Sequence, residues 1–369
     1  MRGLFALLAW SFVAAVVLVG GAAGTVYWGY KDASAPGPAT TPHTIVIPAH
    51  TGISAIARLL RQNGVIRHPI VFEVAAKVTG RGGALKSGEY EFPAGISMFG
   101  AMDLLDSGKT VRHLLTIPEG LTSDEIVALV KRAPGLAGDP GPVPPEGSLL
   151  PETYAYSYGD SRAGLLERMH QSMKAALAQA WAHRRADLYL TTPQQAVILA
   201  SVVEKEAKRA DERAHIAGVF INRLRLGMRL QSDPTVIFAL TGEKSGHLGR
   251  PLTHADLAVD SPYNTYIATG LPPGPITNPG KSSLLAATRP EHTDDMYFVA
   301  DGNGGHIFAK TLAEHNRNVA LYRHGLGESE PVAPVAPVAQ ATPPVPPPKP
   351  PLPAPHQRCR HVAGHRCAH

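Results

Sequence analysis

Cysteine is almost missing from this 369-residue chain, which contains only Cys359 and Cys367, both close to its C-terminus. No folded core can therefore depend on a thiol or a disulfide bond. This distribution is compatible with a location outside the cytoplasm but does not require one. The cysteines and His361, His365 and His369 can bind a metal in principle. Their spacing matches no standard site, so we predict a disulfide or adventitious binding there.

Several common catalytic and binding motifs are also missing. The chain has no HExxH zinc pair, no GxSxG nucleophile elbow, no Walker loop and no dinucleotide fingerprint. Its formal net charge is +5, but lysine and arginine form no stripe with interleaved aromatic residues, which argues against nucleic-acid binding. We therefore expect neither a metal nor a cofactor in the activity, while an anionic polymer remains a compatible partner.

The first positive feature is a long uncharged segment near the N-terminus. No charged residue occurs from Leu4 to Tyr30, which is long enough to cross a bilayer as a helix. Trp28 and Tyr30 suit the far membrane interface, and Arg2 suits the cytoplasmic side. A cleaved signal peptide is the alternative, but its hydrophobic region is usually shorter. We predict a transmembrane anchor over residues 1–30, with the rest of the chain outside.

Changes in composition divide the remaining chain into four parts. Residues 31–43 are rich in Ala, Pro, Gly and Thr, which is typical of a linker. Residues 44–113 show a strand, two helices, a second strand and a further helix, which predicts a small α+β domain. A larger mixed α+β domain follows over residues 114–324. The predicted fold class is α+β, with a disordered tail over residues 325–369, because the Pro/Ala/Val tract there has no core-forming pattern.

The segment TTPQQAVILASVVEKEAKR predicts a buried helix that ends in two carboxylates. Thr192 caps it, with glutamine three residues later and proline at the first helical position. Glu204 lies where the apolar run ends, and loss of hydration favours the neutral form of a carboxyl group, as a general acid requires. A surface ion pair between Glu204 and Lys208 is the simpler interpretation. Glu206, on another face of the helix, is the rival carboxylate.

Polar side chains elsewhere are candidates for substrate contacts. A second helix carries Asn222 within an apolar stretch, where its amide must find partners. An extended segment then leads to Asp233, and the Asp-Pro step there favours a turn. The tetrapeptide YNTY combines rings and amide groups as carbohydrate sites do, although tyrosines packed under a proline-rich loop are the alternative. The full set of candidates is Glu152, Asn222, Gln231, Asp233, Tyr263, Asn264 and Tyr266.

Five segments carry a resemblance to a known family. In chain order they are VEKEA, VFINRLRLGMRLQSDPTV, YNTY, GLPPGPITNPG and YFVADGNGGHIF. Together they resemble the membrane-bound endolytic murein transglycosylases of the YceG-like family, over residues 44–323. The family segment often has QTDPTV where this chain has QSDPTV, which is a conservative difference.

The resemblance implies a catalytic residue and a binding module. The catalytic acid of the family is the first glutamate of the VEKE segment, which corresponds to Glu204. The LLPETY-type segment of the family, which contains Glu152 here, lies beside the substrate cleft; the alternative role of Glu152 is a turn residue after proline. Residues 44–113 resemble a LysM-like module, a type that binds N-acetylglucosamine polymers, and a purely structural spacer is the alternative.

The resemblance also implies a reaction and a location. The reaction is cleavage of the β-1,4 bond between N-acetylmuramic acid and N-acetylglucosamine in nascent peptidoglycan strands, which leaves 1,6-anhydro ends and terminates polymerisation. The enzyme would be a single-pass protein of the inner membrane with its catalytic domain in the periplasm, and penicillin-binding synthases are candidate partners. An anchored, non-catalytic peptidoglycan-binding protein is the alternative from another class. A scaffold that acts through the proline-rich tail is a third hypothesis.

Overall fold

The computed structural model describes residues 2–325. Within that range the chain has the predicted mixed α+β character, with its strands in three separate two-stranded antiparallel sheets. The predicted proline-rich tail, with its cysteines and histidines, lies outside the described residues from position 326 onward.

The N-terminal helix α1 (Arg2–Ser34) is the one helix in the described part of the chain that is long and apolar enough to cross a membrane. It extends four residues beyond Tyr30, into the segment that we predicted as a linker. The last turn is helical because it packs on the domain that follows. Ala33 is buried there, and a carboxylate oxygen of Asp32 lies 3.0 Å from Nδ1 of His68. The helix is therefore longer, and the linker shorter, than we predicted.

A group of two antiparallel strands and three helices with its own core follows α1. Its elements are β1 (His43–Ile47), α2 (Ile53–Gln62), α3 (Pro69–Val78), β2 (Gly88–Phe92) and α4 (Met98–Ser107). Ile45 on β1 lies opposite Tyr90 on β2, and both side chains are buried. The predicted order of elements is confirmed, because alternating apolar residues in the strands and the apolar faces of the helices meet in one core.

The larger part of the described chain, from β3 onward, begins with a second pair of strands. Its first elements are β3 (Arg112–Thr116), α5 (Ser123–Arg132), β4 (Thr153–Ser157) and α6 (Arg162–Ala182). We predicted no strand at β4, which pairs antiparallel with β3. Its short sequence TYAYS places Tyr154 and Tyr156 on one buried face, as a strand with a period of two requires.

Four helices form the centre of this larger part. They are α7 (Pro193–Glu206), α8 (Arg213–Arg225), α9 (Asp233–Thr241) and α10 (Lys281–Thr288). The predicted capping box is confirmed: Oγ1 of Thr192 accepts the backbone N–H of Gln195 at 3.2 Å, and the Gln195 side chain accepts the backbone N–H of Thr192. Every residue from Ala196 to Val203 is buried, because α7 packs against α6, α8, α9 and α10.

The segment before α9 differs from our prediction. We expected the Asp233-Pro234 step to form a turn, but it begins a helix. Proline is tolerated in a first helical turn because the backbone N–H groups there have no partner within the helix. Gln231, with a φ of 51°, adopts the left-handed conformation and redirects the chain into α9. Asp233 therefore lies at a helix N-terminus, where a negative charge is favourable.

A β-hairpin and a closing helix form the C-terminal end of the described chain. They are β5 (Tyr297–Ala300), β6 (His306–Ala309) and α11 (Leu312–Gly325). The turn of the hairpin is held by Asp301, whose Oδ1 accepts the backbone N–H groups of Asn303 and Gly305. The hairpin packs on α8 through Phe298 and Phe220, whose ring centroids are 5.7 Å apart.

Candidate active site

Glu204 lies in the last turn of α7, where the apolar core ends. Its side chain is 4% exposed. Oε1 lies 2.9 Å from Nη2 of Arg213, and Oε2 accepts the backbone N–H of Gly280 at 2.9 Å. These two contacts hold the carboxylate in one orientation. The alternative pairing with Lys208 was wrong, because α7 ends at Glu206 and Lys208 lies exposed beyond it.

Arg213 joins Glu204 to a second carboxylate that our sequence predictions missed. Its Nη2 also lies 3.1 Å from Oε2 of Glu119. Because both oxygens contact the same nitrogen, at 2.9 Å and 3.1 Å, they lie within about 6 Å of each other. The Glu119 side chain is 39% exposed and therefore faces solvent. Burial and the charge of Glu204 raise the pKa of Glu119, and the Arg213 guanidinium opposes this rise.

The proline-rich loop over residues 270–280 is held by hydrogen bonds to α7 and to the segment before α5. Ile276 donates its backbone N–H to Oγ of Ser201 on α7 at 3.0 Å. Asn278 is fully buried, and its backbone N–H donates to the carbonyl of Leu121 at 2.9 Å, in the segment that leads into α5. The loop thus holds the Gly280 N–H at a fixed place beside Glu204.

Two glycines allow the side chains of the site to approach the backbone closely. A Cβ on Gly280 would lie 1.8 Å from Oε1 of Glu119, so this position accepts no side chain without displacing Glu119. Gly120 has a φ of 79°, in the left-handed region that favours glycine. Its carbonyl accepts a hydrogen bond from Nζ of Lys205 at 3.3 Å, and burial lowers the pKa of the Lys205 ammonium group.

Glu152 reaches the same region through the first residue of α10. It forms an ion pair with Nζ of Lys281, which follows Gly280 in the chain. The two side chains are 36% and 61% exposed, so the pair contributes little to stability. Glu152 is thus connected to the Glu204 site through Lys281 and Gly280.

Glu206, the rival carboxylate, belongs to a separate group at the end of α7. Oγ of Ser232 donates to its Oε1 at 2.5 Å. Burial raises the pKa of Glu206 to about 7; the Ser232 hydrogen bond opposes this rise, and the charge of Asp233 adds to it. Oδ1 of Asp233 accepts a hydrogen bond from the hydroxyl of Tyr266 at 2.6 Å. Gln231 comes directly before Ser232 in the chain, and its backbone N–H donates to the carbonyl of Thr265. The structure therefore brings three of the predicted binding residues to Glu206.

Two of the other candidates have partners within the fold. Asn264 is fully buried, and its amide donates to the carbonyls of Leu257 and Val259 at 3.0 and 2.9 Å. The ring of Tyr263 packs on Phe238, with centroids 4.8 Å apart. This packing is the alternative that we gave for the tyrosine pair.

Asn222 lies away from Glu204. It follows Arg213 by nine residues on α8, which corresponds to about 13 Å along the helix axis. Its amide donates to the carbonyls of Thr293 and Asp295 at 2.7 and 3.2 Å. Asn222 also lines a cavity of about 390 Å³ whose lining does not include Glu204. The structure therefore does not bring Asn222 into the carboxylate site.

Comparison with known proteins gives consistent matches. The model of the YceG-like family matches residues 45–321. An endolytic murein transglycosylase of Bacillus subtilis (strain 168) is 33% identical over 314 residues, which cover 76% of this chain and 85% of that protein. An endolytic murein transglycosylase of Streptococcus pneumoniae serotype 2 is 29% identical over 347 residues, which cover 80% of this chain and 62% of that protein.

A solved structure also matches this chain. The crystal structure of a YceG-like protein from Listeria monocytogenes has a TM-score of 0.48 and 33% sequence identity. The match covers 75% of this chain and 98% of the listerial chain.

Proposed function

Because the chain belongs to the YceG-like family, we propose that it is an endolytic murein transglycosylase in which Glu204 is the catalytic acid and base. The observation that carries this proposal is the environment of Glu204. A carboxylate at the end of a buried helix is oriented by Arg213 and by the Gly280 N–H, beside the solvent-facing Glu119. A general acid or base needs this combination of fixed orientation and access.

The reaction that we propose uses one carboxyl group twice. Glu204 donates its proton to the β-1,4 glycosidic oxygen between N-acetylmuramic acid and N-acetylglucosamine, and the bond from that oxygen to muramyl C1 breaks. The carboxylate of Glu204 then takes the proton from the muramyl C6 hydroxyl, whose oxygen bonds to C1. The products are a 1,6-anhydro end and a free 4-hydroxyl, no water is consumed, and Glu204 returns to its starting form.

Substrate has to approach Glu204 from the side of Glu119, because Glu204 itself is almost fully covered. Proton transfer requires the glycosidic oxygen within about 3 Å of the carboxyl oxygen. We propose that Gln231, Asp233 and Tyr266 contact the glycan on one side of the end of α7. Glu152 and Tyr263 are further candidate contacts.

The two buried amides have a different proposed role. Asn222 and Asn264 both donate to backbone carbonyls. We propose that they position the chain around the site and do not bind sugar directly. We propose that the substrate's own acetamido group offsets the positive charge that develops at C1.

The location that we propose follows from α1. This helix anchors the chain in the inner membrane, with the catalytic domain on the periplasmic side, close to where new glycan strands emerge. Cleavage there terminates polymerisation, which makes penicillin-binding synthases candidate partners. We propose that β1, α2, α3, β2 and α4 form a small LysM-like domain that binds N-acetylglucosamine polymers.

Mass spectrometry of glycan products tests this function. The full chain in detergent is incubated with uncross-linked peptidoglycan strands, and the new ends are identified. Internal cuts with 1,6-anhydro-N-acetylmuramic acid ends are expected. Reducing ends would mean hydrolysis, with Glu119 as the second carboxylate that a hydrolase needs. Binding without cleavage would mean that the chain is an anchored peptidoglycan-binding protein.

A further inference from the structure

One guanidinium serves two carboxylates in the candidate site. Nη2 of Arg213 lies 2.9 Å from Glu204 and 3.1 Å from Glu119. The side chains of Glu204 and Arg213 are 4% and 14% exposed, so their interaction is poorly screened by water. Two carboxylates and one guanidinium carry a net charge of −1, and the uptake of one proton makes the group neutral.

We propose that Glu119 is a positioning residue for the transglycosylase reaction: by sharing Arg213, it weakens the hold of that guanidinium on the charged form of Glu204, the proton donor of the first step. The inference rests on the function proposed above. It assigns to Glu119 a role that acts through Arg213 and not through contact with the reacting atoms.

The physical reason is competition for a single positive charge. A carboxylate that is paired alone with a buried arginine is held in its charged form, because the opposite charge stabilises that form. Such a group is a poor proton donor. A second carboxylate on the same nitrogen divides the attraction, and its own negative charge disfavours a second negative charge nearby. The shared guanidinium therefore stabilises the charged form of either carboxylate less than it would stabilise that of one carboxylate alone.

Two lysines lie near this trio. Lys205 on α7 lies close enough to Glu204 and Glu125 for both to affect the pKa of its ammonium group. Lys281 on α10 is paired with Glu152. Both lysines are present in the parent and in every Glu119 variant, so a difference between their pH profiles reports on Glu119. The structure of the turn supports the same role, because Gly280 leaves space for the Glu119 carboxylate where any side chain would clash.

The experiment measures kcat/KM for strand cleavage as a function of pH. Three full-length proteins are compared: the parent, Glu119→Gln and Glu119→Asp. Glu119→Gln leaves the Arg213 guanidinium to Glu204 alone, so its attraction is no longer divided between two carboxylates. We expect cleavage to fall roughly tenfold at pH 8 and much less at pH 5.5, so that the alkaline limb moves to lower pH. Glu119→Asp keeps the charge and is expected to keep the limb of the parent.

Three results would overturn the proposal. In the first, Glu119→Gln has the same pH profile of kcat/KM as the parent. In the second, Glu119→Gln lowers kcat/KM by the same factor at every pH. In the third, the alkaline limb of Glu119→Asp moves as far as that of Glu119→Gln. Thermal unfolding checks that each variant folds. If Glu119→Gln does not fold, Glu119→Ala replaces it, and its alkaline limb is expected to move to lower pH in the same way. Failure of the proposed function is seen separately, as absence of anhydro products from the parent or as full activity of Glu204→Gln.

Discussion

Oγ of Ser201, in the middle of the buried helix α7, accepts the backbone N–H of Ile276 at 3.0 Å. The two residues are 75 positions apart in the chain. This bond connects the helix that carries Glu204 to the loop whose Gly280 N–H donates to the Glu204 carboxylate. Ser201 is the one polar residue in the apolar run of α7, and the contact explains its presence there.

Ser201→Ala is expected to lower both stability and activity. The variant leaves the buried N–H of Ile276 without its acceptor, which costs about 1–3 kcal/mol of unfolding free energy. Denaturant unfolding and cleavage rate measure the two effects. Ser283→Ala is the matched control, because Ser283 is also fully buried but its hydroxyl has no hydrogen-bond partner within the described range. Equal destabilisation by the two variants would contradict the role of the Ser201 bond.

Gly280→Ala is expected to reduce cleavage with a much smaller effect on the fold. The backbone φ of Gly280 is −76°, which alanine adopts without strain. The added methyl group would lie 1.8 Å from Oε1 of Glu119, so the Glu119 side chain has to leave its contact with Arg213. Cleavage rate and thermal unfolding are measured together. Gly83→Ala, at a position with open space around the Cβ, is the control. Unchanged cleavage by Gly280→Ala would show that the placement of Glu119 does not matter.

Stability is expected to fall as pH rises through the titration of Glu206. Its pKa is about 7 in the folded chain, above the ordinary 4.5, so the folded state binds the proton more tightly than the unfolded state. The stabilisation is complete below pH 4.5 and is lost as pH passes about 7, by up to about 3 kcal/mol. Glu206→Gln is expected to flatten this part of the stability curve, as measured by denaturant unfolding at pH 4.5, 6 and 8.

Two further carboxyl variants make the pH test specific. Burial also raises the pKa of Glu146 to about 7, so Glu146→Gln is expected to remove a second part of the same loss. Glu91→Gln, an exposed position on β2, is the control. A Glu206→Gln curve with the same slope as that of the parent would mean that Glu206 is not the group responsible.

Asn264→Ala is expected to destabilise the fold and to leave the KM for glycan strands unchanged. The substitution removes two amide donors and also Oδ1, which accepts the backbone N–H of Tyr266 at 3.0 Å. Loss of these buried bonds costs about 2–4 kcal/mol. Unfolding and steady-state kinetics below the melting temperature separate the two effects. A raised KM without a loss of stability would instead support direct sugar binding by this amide.

The features that the sequence predicts well are those with local causes. The capping box of α7 involves Thr192 and Gln195, which are three residues apart, and its buried run is continuous in the sequence. The C-terminal hairpin is similarly local. At α9 the local evidence was ambiguous, because an Asp-Pro step suits both a turn and a first helical turn. At β4 the alternating segment TYAYS was too short to show whether the residues between Pro151 and Gly159 form a strand or a loop.

The carboxylate site depends on contacts that no local pattern contains. Arg213 reaches Glu119 across 94 residues, and Gly280 reaches Glu204 across 76. The only local sign of Glu119 was a charged residue in the tight turn between β3 and α5. The apolar setting of Asn222 correctly indicated an amide with partners, but those partners, like the acceptors of the Asn264 amide, are backbone carbonyls. Sequence alone does not distinguish a buried amide that holds the backbone from one that binds a sugar.

The most direct test of the central claim compares Glu204→Gln with Glu206→Gln by mass spectrometry of glycan ends. Arg213 keeps Glu119 as a counter-ion in Glu204→Gln, so this variant is expected to fold. We predict that Glu204→Gln forms no 1,6-anhydro ends, whereas Glu206→Gln forms them at a rate close to that of the parent. Normal turnover by Glu204→Gln, or loss of turnover confined to Glu206→Gln, would contradict the assignment of Glu204 as the catalytic acid and base.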